Sequence, residues 1–226
     1  MKRSFLILLL IVIFLAPTPT SAESKQLVAL GDSIPYGYHL PSPSDQSFPS
    51  LIAKEKGWKL TNLSKPGMTS TQLLAAIKHE EEFQQALKEA DIVVLYIGGN
   101  DLLNLLKENK GLSGLTKGEV GKVSSKLIRN LSAIMMELNK RTDAKVLLYN
   151  LYNPYPDAGF SIDLPLDYIN MQYATVAELL DYVMDVKVID ASKAFHKHPE
   201  YLIIDDVHPT IIGQHVLADL GLSALS

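Results

Sequence analysis

Four short blocks of the chain carry residue types that can do chemistry. They are Gly31-Asp32-Ser33 with Gly37 four residues past the serine, Asn62-x-Ser64-x-x-Gly67, Gly98-Gly99-Asn100-Asp101, and Asp205-Asp206-Val207-His208-Pro209. A serine hydroxyl is a weak nucleophile until a base takes its proton as it attacks, and histidine is the side chain best suited to that task near neutral pH. From the chain's own composition, Gly-Asp-Ser is expected roughly 0.06 times, Gly-Gly-Asn-Asp roughly 0.002 times and Asp-x-x-His-Pro roughly 0.02 times. Asp-x-x-His alone, expected roughly 0.4 times, would carry little. The signal is therefore the set and its order.

Other chemistries are excluded or weakened by what the chain lacks. It contains no cysteine, which removes a thiol nucleophile, a disulfide framework, an iron–sulfur cluster and a zinc ribbon. No Gly-x-Ser-x-Gly elbow and no His-Glu-x-x-His helix occurs. His196-Lys197-His198 has no carboxylate at helical ligand spacing and reads as a solvated loop. A formal net charge of −4 argues against nucleic acid as the main partner, because phosphate binding needs a basic surface.

The four blocks have to be brought together by the elements between them. Gln26–Leu30, Lys59–Leu63, Ile92–Ile97, Lys145–Tyr149 and Val186–Asp190 read as strands, and Ile92–Ile97 is apolar throughout, as a strand covered on both faces should be. Helical periodicity separates them. Val120, Val123, Leu127, Leu131, Ile134 and Leu138 form one row, and Ile169, Tyr173, Val176, Leu179 and Val183 another. Pro209 fits the first position of a last helix with Ile211, Ile212, Val216 and Leu220 as its apolar face. Glu80-Glu81-Glu82 reads as a helix start. Alternating strands and helices imply an α/β domain with a five-stranded parallel sheet, whose chemistry gathers at the carboxyl ends of the strands. Each block follows a strand.

The first 22 residues stand apart. Met1-Lys2-Arg3-Ser4 precedes an apolar run from Phe5 to Ala16, and Pro17 to Ala22 ends in small residues. This pattern is expected of a secretory signal peptide cut near Ala22, with residues 23–226 as one folded domain. A membrane anchor needs about 20 apolar residues, so the run is short for that role. Loss of 22 residues and two positive charges would leave 204 residues at net charge −6, without a membrane span. The product would be secreted, to the periplasm or the medium.

The blocks as they stand resemble those of the GDSL, or SGNH, hydrolases, across essentially the whole chain from residue 27 to beyond His208. Ile34 stands where the family name has leucine, a conservative difference. The resemblance implies a flavodoxin-like three-layer α/β/α sandwich and hydrolysis of esters or thioesters without metal or cofactor. It implies Ser33 as nucleophile, His208 as base, and the Ser33 N–H, the Gly67 N–H and the Asn100 amide as the oxyanion hole. Asp205 is expected to orient His208, the three-residue spacing favouring it over Asp206. Asp32 is expected to bond backbone in its turn, and Asn62 and Ser64 to form a turn. Glycine suits a close backbone approach, and Asn100 is also suited to cap a helix starting near Asp101, a role that does not exclude the other. Tyr149, Tyr152 and Tyr155, with Pro154 and Pro156, read either as packing or as the rim of a cleft.

Three functions are compatible with this reading. One is a secreted serine esterase acting through an acyl-enzyme on lipid or small acyl esters. A second is an O-acetylesterase of cell-wall or plant glycans. A third is a non-catalytic binding module on the same fold.

Overall fold

The structure is a computed structural model that describes residues 24–109, 111, 114, 116–155 and 160–226. The expected signal segment and Pro156 lie outside the described residues.

Five strands form one sheet: β1 (Gln26–Gly31), β2 (Lys59–Asn62), β3 (Ile92–Tyr96), β4 (Lys145–Tyr149) and β5 (Val186–Ile189). Every pairing is parallel, and the order is β2-β1-β3-β4-β5. β3 is buried at every residue, and β1 and β4 at all but their first, which explains their unbroken apolar sequences. β2, at one edge, is shorter and only partly buried.

Helices cover both faces. On one side α3 (Phe48–Lys56) packs on α10 (Ile211–Ser223), and α10 on the short α9 (Ala191–Phe195). On the other, α7 (Lys117–Arg141) touches α4 (Ser70–His79), α5 (Glu81–Glu89), α6 (Gly99–Glu108) and α8 (Phe160–Leu180). The expected row on α7 is buried at Leu127, Leu131, Ile134 and Leu138. Thr116 starts this helix with a capping box, exchanging hydrogen bonds with Glu119.

Two helix faces differ from the periodicity. On α8, Ile169, Tyr173 and Val176 are buried, but Leu179 is exposed, and so is Val183 beyond the helix end. α8 is pinned instead by the Tyr173 hydroxyl, which donates to the Ile97 carbonyl at 2.7 Å. On α10 the cap is Thr210, whose hydroxyl accepts from the Gly213 N–H, so Pro209 lies outside the helix. The inward face then carries Gly213, Gln214, Leu217, Ala218 and Gly221, while Ile211 and Ile212 face water. Buried Gln214 is the reason: its amide accepts from the Phe48 N–H at 2.8 Å and donates to the Ile34 carbonyl at 3.2 Å. A polar side chain with both ends satisfied ties α3 and α10 to the turn after β1.

Candidate active site

The order in which strands are added to the sheet reverses between β1 and β3, and ligands of open α/β sheets bind at such a switch point. Ser33 follows β1, and Asn100 follows β3. Ser33 opens the single-turn helix α1 (Ser33–Tyr36), with Asp32 as its cap accepting from the Ile34 N–H at 3.0 Å. This is the backbone role expected of Asp32. Asp32 is buried, and burial pushes its carboxyl up to about 7, against the Ile34 hydrogen bond that lowers it.

His208 reaches Ser33 from the far end of the chain. Its Nε2 lies 2.9 Å from the Ser33 Oγ. The loop carrying it is pinned by the Ile203 N–H to the His208 carbonyl at 2.9 Å, and by the Tyr152 hydroxyl to the Val207 carbonyl at 2.7 Å. On the other side of the ring, Nδ1 meets Asp206 Oδ1 directly. The same Oδ1 also accepts from the Val207 and His208 N–H groups. Partial burial raises the Asp206 pKa, but its bond to His208, that ring's charge and the two backbone donors outweigh it and hold the carboxyl below its ordinary value.

Asp205 does not take the place expected of it. It is exposed, and at φ 58° it occupies the left-handed region. The Asp206 N–H closes a tight turn on the Ile203 carbonyl at 3.0 Å. With Asp205 at the turn's outer corner, the next residue folds its carboxylate back over the following N–H groups and onto the imidazole. The preference for a three-residue spacing overlooked this compact two-residue bridge.

The donors expected near Ser33 are positioned as follows. Asn100 sits in the first turn of α6, capped by Gly98 and not by Asn100. Its Nδ2 donates to the Met68 carbonyl at 3.1 Å, and an amide nitrogen has a second proton left over. Gly67 precedes Met68 at φ 81°, and a Cβ there would meet nothing within 4 Å. Backbone conformation, not space, therefore demands glycine. Among the described residues, no other group accepts from the Ser33 or Gly67 N–H. Asn62 forms the expected turn, accepting from the Ser64 N–H at 3.1 Å and donating to the Pro35 carbonyl at 2.8 Å. Ser33 and Asn100 line one cavity of about 900 Å³, counted with its open mouth. Its walls are almost wholly apolar, with Leu102, Leu106, Val120, Ile162 and Leu166 among them.

Residues 29–216 match the model of the GDSL-like lipase/acylhydrolase family. The chain belongs to that family. It is 30% identical to the spore germination lipase LipC of Bacillus licheniformis over 164 residues, 69% of this chain and 73% of that one. A solved lipase from goat rumen metagenome, Lip_vut3, superimposes with a TM-score of 0.72 at 26% identity, covering 89% of this chain and 97% of the other. The acetylxylan esterase Axe2 of Geobacillus stearothermophilus reaches a TM-score of 0.71 over 90% and 95% of the two chains, at 18% identity, and so speaks for the fold alone. The family and these lipases make the chain a serine ester hydrolase.

Three parts of this GDSL-type site were missed in the sequence. Asp101 accepts from the N–H and hydroxyl of Ser70, at 2.8 and 2.7 Å, and so fixes α4 against α6. The side chain of His39 stands beside Asp206, its Nε2 3.3 Å from Oδ2. The cavity walls come from helices whose apolar residues read as core. Of the tyrosine cluster, Tyr149 is packing, bonded to the Leu217 carbonyl at 3.0 Å, whereas Tyr152 and Tyr155 line the cavity. His198 pairs with Glu200 at 2.8 Å and stacks on Tyr201.

Proposed function

We propose that the protein is an exported serine esterase that hydrolyses esters of medium or long acyl chains through an acyl-enzyme on Ser33. The observation that carries this reading is the 2.9 Å contact of Ser33 Oγ with His208 Nε2, at the edge of an apolar cavity. An acyl chain gains about 0.8 kcal/mol for each methylene moved from water into such a cavity. An acetyl group would leave most of it unused.

In this mechanism the Ser33 oxygen attacks the ester carbonyl while His208 Nε2 takes its proton. Asp206 keeps the other ring proton on Nδ1 and stabilises the imidazolium. The developing oxyanion receives hydrogen bonds from the Ser33 and Gly67 N–H groups and from the second Asn100 amide proton. Collapse expels the alcohol, protonated by His208, and leaves an ester on Ser33. Water, deprotonated by His208, then attacks that ester. The acid leaves, and the proton returns to Ser33.

Purified protein and Ser33→Ala, assayed on p-nitrophenyl esters from acetyl to palmitoyl, test this. We expect an optimum beyond acetyl and loss of turnover in the variant. Equal activity in both proteins would overturn the mechanism. Activity confined to acetyl would overturn the substrate class in favour of a glycan O-acetylesterase. Export is supported by the basic start and apolar run of residues 1–22. Sequencing the N-terminus of protein recovered outside the cytoplasm should give Glu23 first, and Met1 would refute cleavage.

A further inference from the structure

Asp206 is shared by two histidines. His208 Nδ1 meets one carboxylate oxygen, and His39 Nε2 lies 3.3 Å from the other. The three ligand atoms of His39, Asp206 and His208 lie within 4.8 Å of one another. The two imidazoles face each other edge to face, 5.1 Å between centroids, and Tyr38 backs both rings.

We propose that His39, Asp206 and His208 form an inhibitory binding site for Zn²⁺ or a similar borderline-soft divalent cation. Two imidazole nitrogens and one carboxylate oxygen are a donor set that suits zinc, copper or nickel, and offer too few oxygens for calcium or magnesium. Tetrahedral zinc with bonds near 2.0–2.2 Å separates its ligand atoms by about 3.3 Å. The His39–Asp206 pair already has that separation. His208 Nδ1 and its aspartate oxygen need to open to admit the ion, and the two ring nitrogens, within 4.8 Å of each other, need to settle at the same spacing. The site is reachable from water, since the His39 side chain is 47% exposed while that of His208 is 12% exposed. Three protein ligands leave a fourth position for solvent.

The ion would act through one ring's tautomer. This step rests on the reading of His208 as the catalytic base. In the active enzyme the neutral ring keeps its proton on Nδ1 and offers the Nε2 lone pair to Ser33. A cation bound at Nδ1 takes the lone pair of that same nitrogen, so the single ring proton leaves Nδ1 and, through solvent, a proton is taken up at Nε2. Proton count is unchanged, but Nε2 now donates to the Ser33 oxygen and cannot accept from it. The cation also occupies the carboxylate that would stabilise imidazolium. Metal binding and general base catalysis therefore exclude each other at the same imidazole. Sequence spacing gives no hint of this, because His39 and Asp206 are 167 positions apart.

The test separates binding from turnover. Calorimetry of ZnCl₂ with Ser33→Ala, which keeps all three ligands, should give one-to-one binding, with no heat from MgCl₂ or CaCl₂. His39→Ala in the same background should weaken zinc at least about tenfold. His39→Asn, which tolerates the left-handed backbone at φ 68°, should do the same if the alanine variant folds poorly. In the wild-type background, zinc should inhibit ester hydrolysis and EDTA should restore it. The half-inhibiting concentration, each variant referred to its own metal-free rate, should rise by the same factor as the dissociation constant. Zinc binding that is unmoved by both His39 variants, or that leaves hydrolysis intact, would overturn the proposal. Failure of the esterase reading would show separately, as Ser33→Ala retaining activity.

Discussion

The side-chain amide of Asn100 donates to the Met68 carbonyl at 3.1 Å, joining the first turn of α6 to the loop that holds Gly67. One proton of the NH₂ group is thereby spent on orientation, and the other is the donor proposed above for the oxyanion. The same bond fixes which end of the amide is nitrogen, since a flipped side chain would set two oxygens against each other. Asn100→Ala should therefore lower kcat by about 10²–10³, the usual cost of one oxyanion donor, with KM for a short ester little changed. Steady-state kinetics on p-nitrophenyl butyrate check it. A loss that fell on KM alone would assign Asn100 to ground-state binding.

Two adjacent aspartates compete for one histidine, and the geometry favours the second. Asp206 bonds His208 Nδ1, whereas Asp205 faces water. Asp206→Asn should cut kcat by about 10³–10⁴, because an amide in that place favours the wrong tautomer. Asp205→Asn should stay within about threefold of the parent, a surface change of no catalytic consequence. The reverse ranking would show that the loop rearranges in the working enzyme to bring Asp205 inward.

The pattern of residues that chain chemistry makes visible, and of those it hides, follows from distance in sequence. β4 is read to the residue, and the other four strands to within one, since an apolar run bounded by turn formers is a local signal. Ser33 and His208 were legible because their neighbours form rare short blocks. Asp206 was not, because Asp205 and Asp206 differ only in where a left-handed turn places them. His39 was not, because it becomes a partner of Asp206 only once β1 and the loop before α10 meet. The inward face of α10 was hidden for a related reason. Gln214 looks like a surface residue until Phe48 and Ile34 supply its two hydrogen bonds.

The cavity gives chain-length preference a handle. Leu106, on the last turns of α6, lines it and is only half-buried. A tryptophan there fills space that an acyl tail would use and leaves Ser33 and His208 untouched. Leu106→Trp should retain butyrate turnover within about threefold and lower kcat/KM on longer esters at least tenfold, about 1.4 kcal/mol of lost tail contact, less than two methylenes' worth. A chain-length series on both proteins is the measurement. An unchanged profile would place the tail elsewhere.

Asp32 links folding to pH. Its folded pKa is pushed up from the ordinary 3.8 to about 7, chiefly by burial. Between those values the native state holds a proton that the unfolded chain has released, so this group's contribution to stability falls as pH rises toward 7 and is flat above it. Asp32→Asn keeps an acceptor for the Ile34 N–H and cannot ionise. The variant should gain on the parent by about 2–3 kcal/mol between pH 5 and pH 8. Referring one protein to the other cancels the opposite contribution of Asp206, which is held low. Urea unfolding at the two pH values would show it, and parallel pH dependences would mean that Asp32 is already ionised at pH 5.

Gly98 sits where the third strand turns toward Asn100, and its position has no room for any side chain. Its φ is 120°, a conformation that L residues rarely adopt. A Cβ would come within 2.4 Å of the Tyr173 hydroxyl and 3.0 Å of a Leu127 methyl. That hydroxyl is bonded to the Ile97 carbonyl, so the added methyl would strain the backbone and break the bond that seats α8. Strain of about 1–3 kcal/mol plus a buried hydrogen bond of about 1 kcal/mol gives an expected loss near 3 kcal/mol for Gly98→Ala. Because Asn100 lies two residues on, kcat should fall along with stability. Truncating the other partner separates the two effects. Tyr173→Phe removes the hydroxyl but not the ring, and should recover part of the stability when combined with Gly98→Ala. Thermal melts of the two single variants and the double variant check this. Strict additivity would mean that the clash is relieved elsewhere and that the hydroxyl is not what excludes a side chain at position 98.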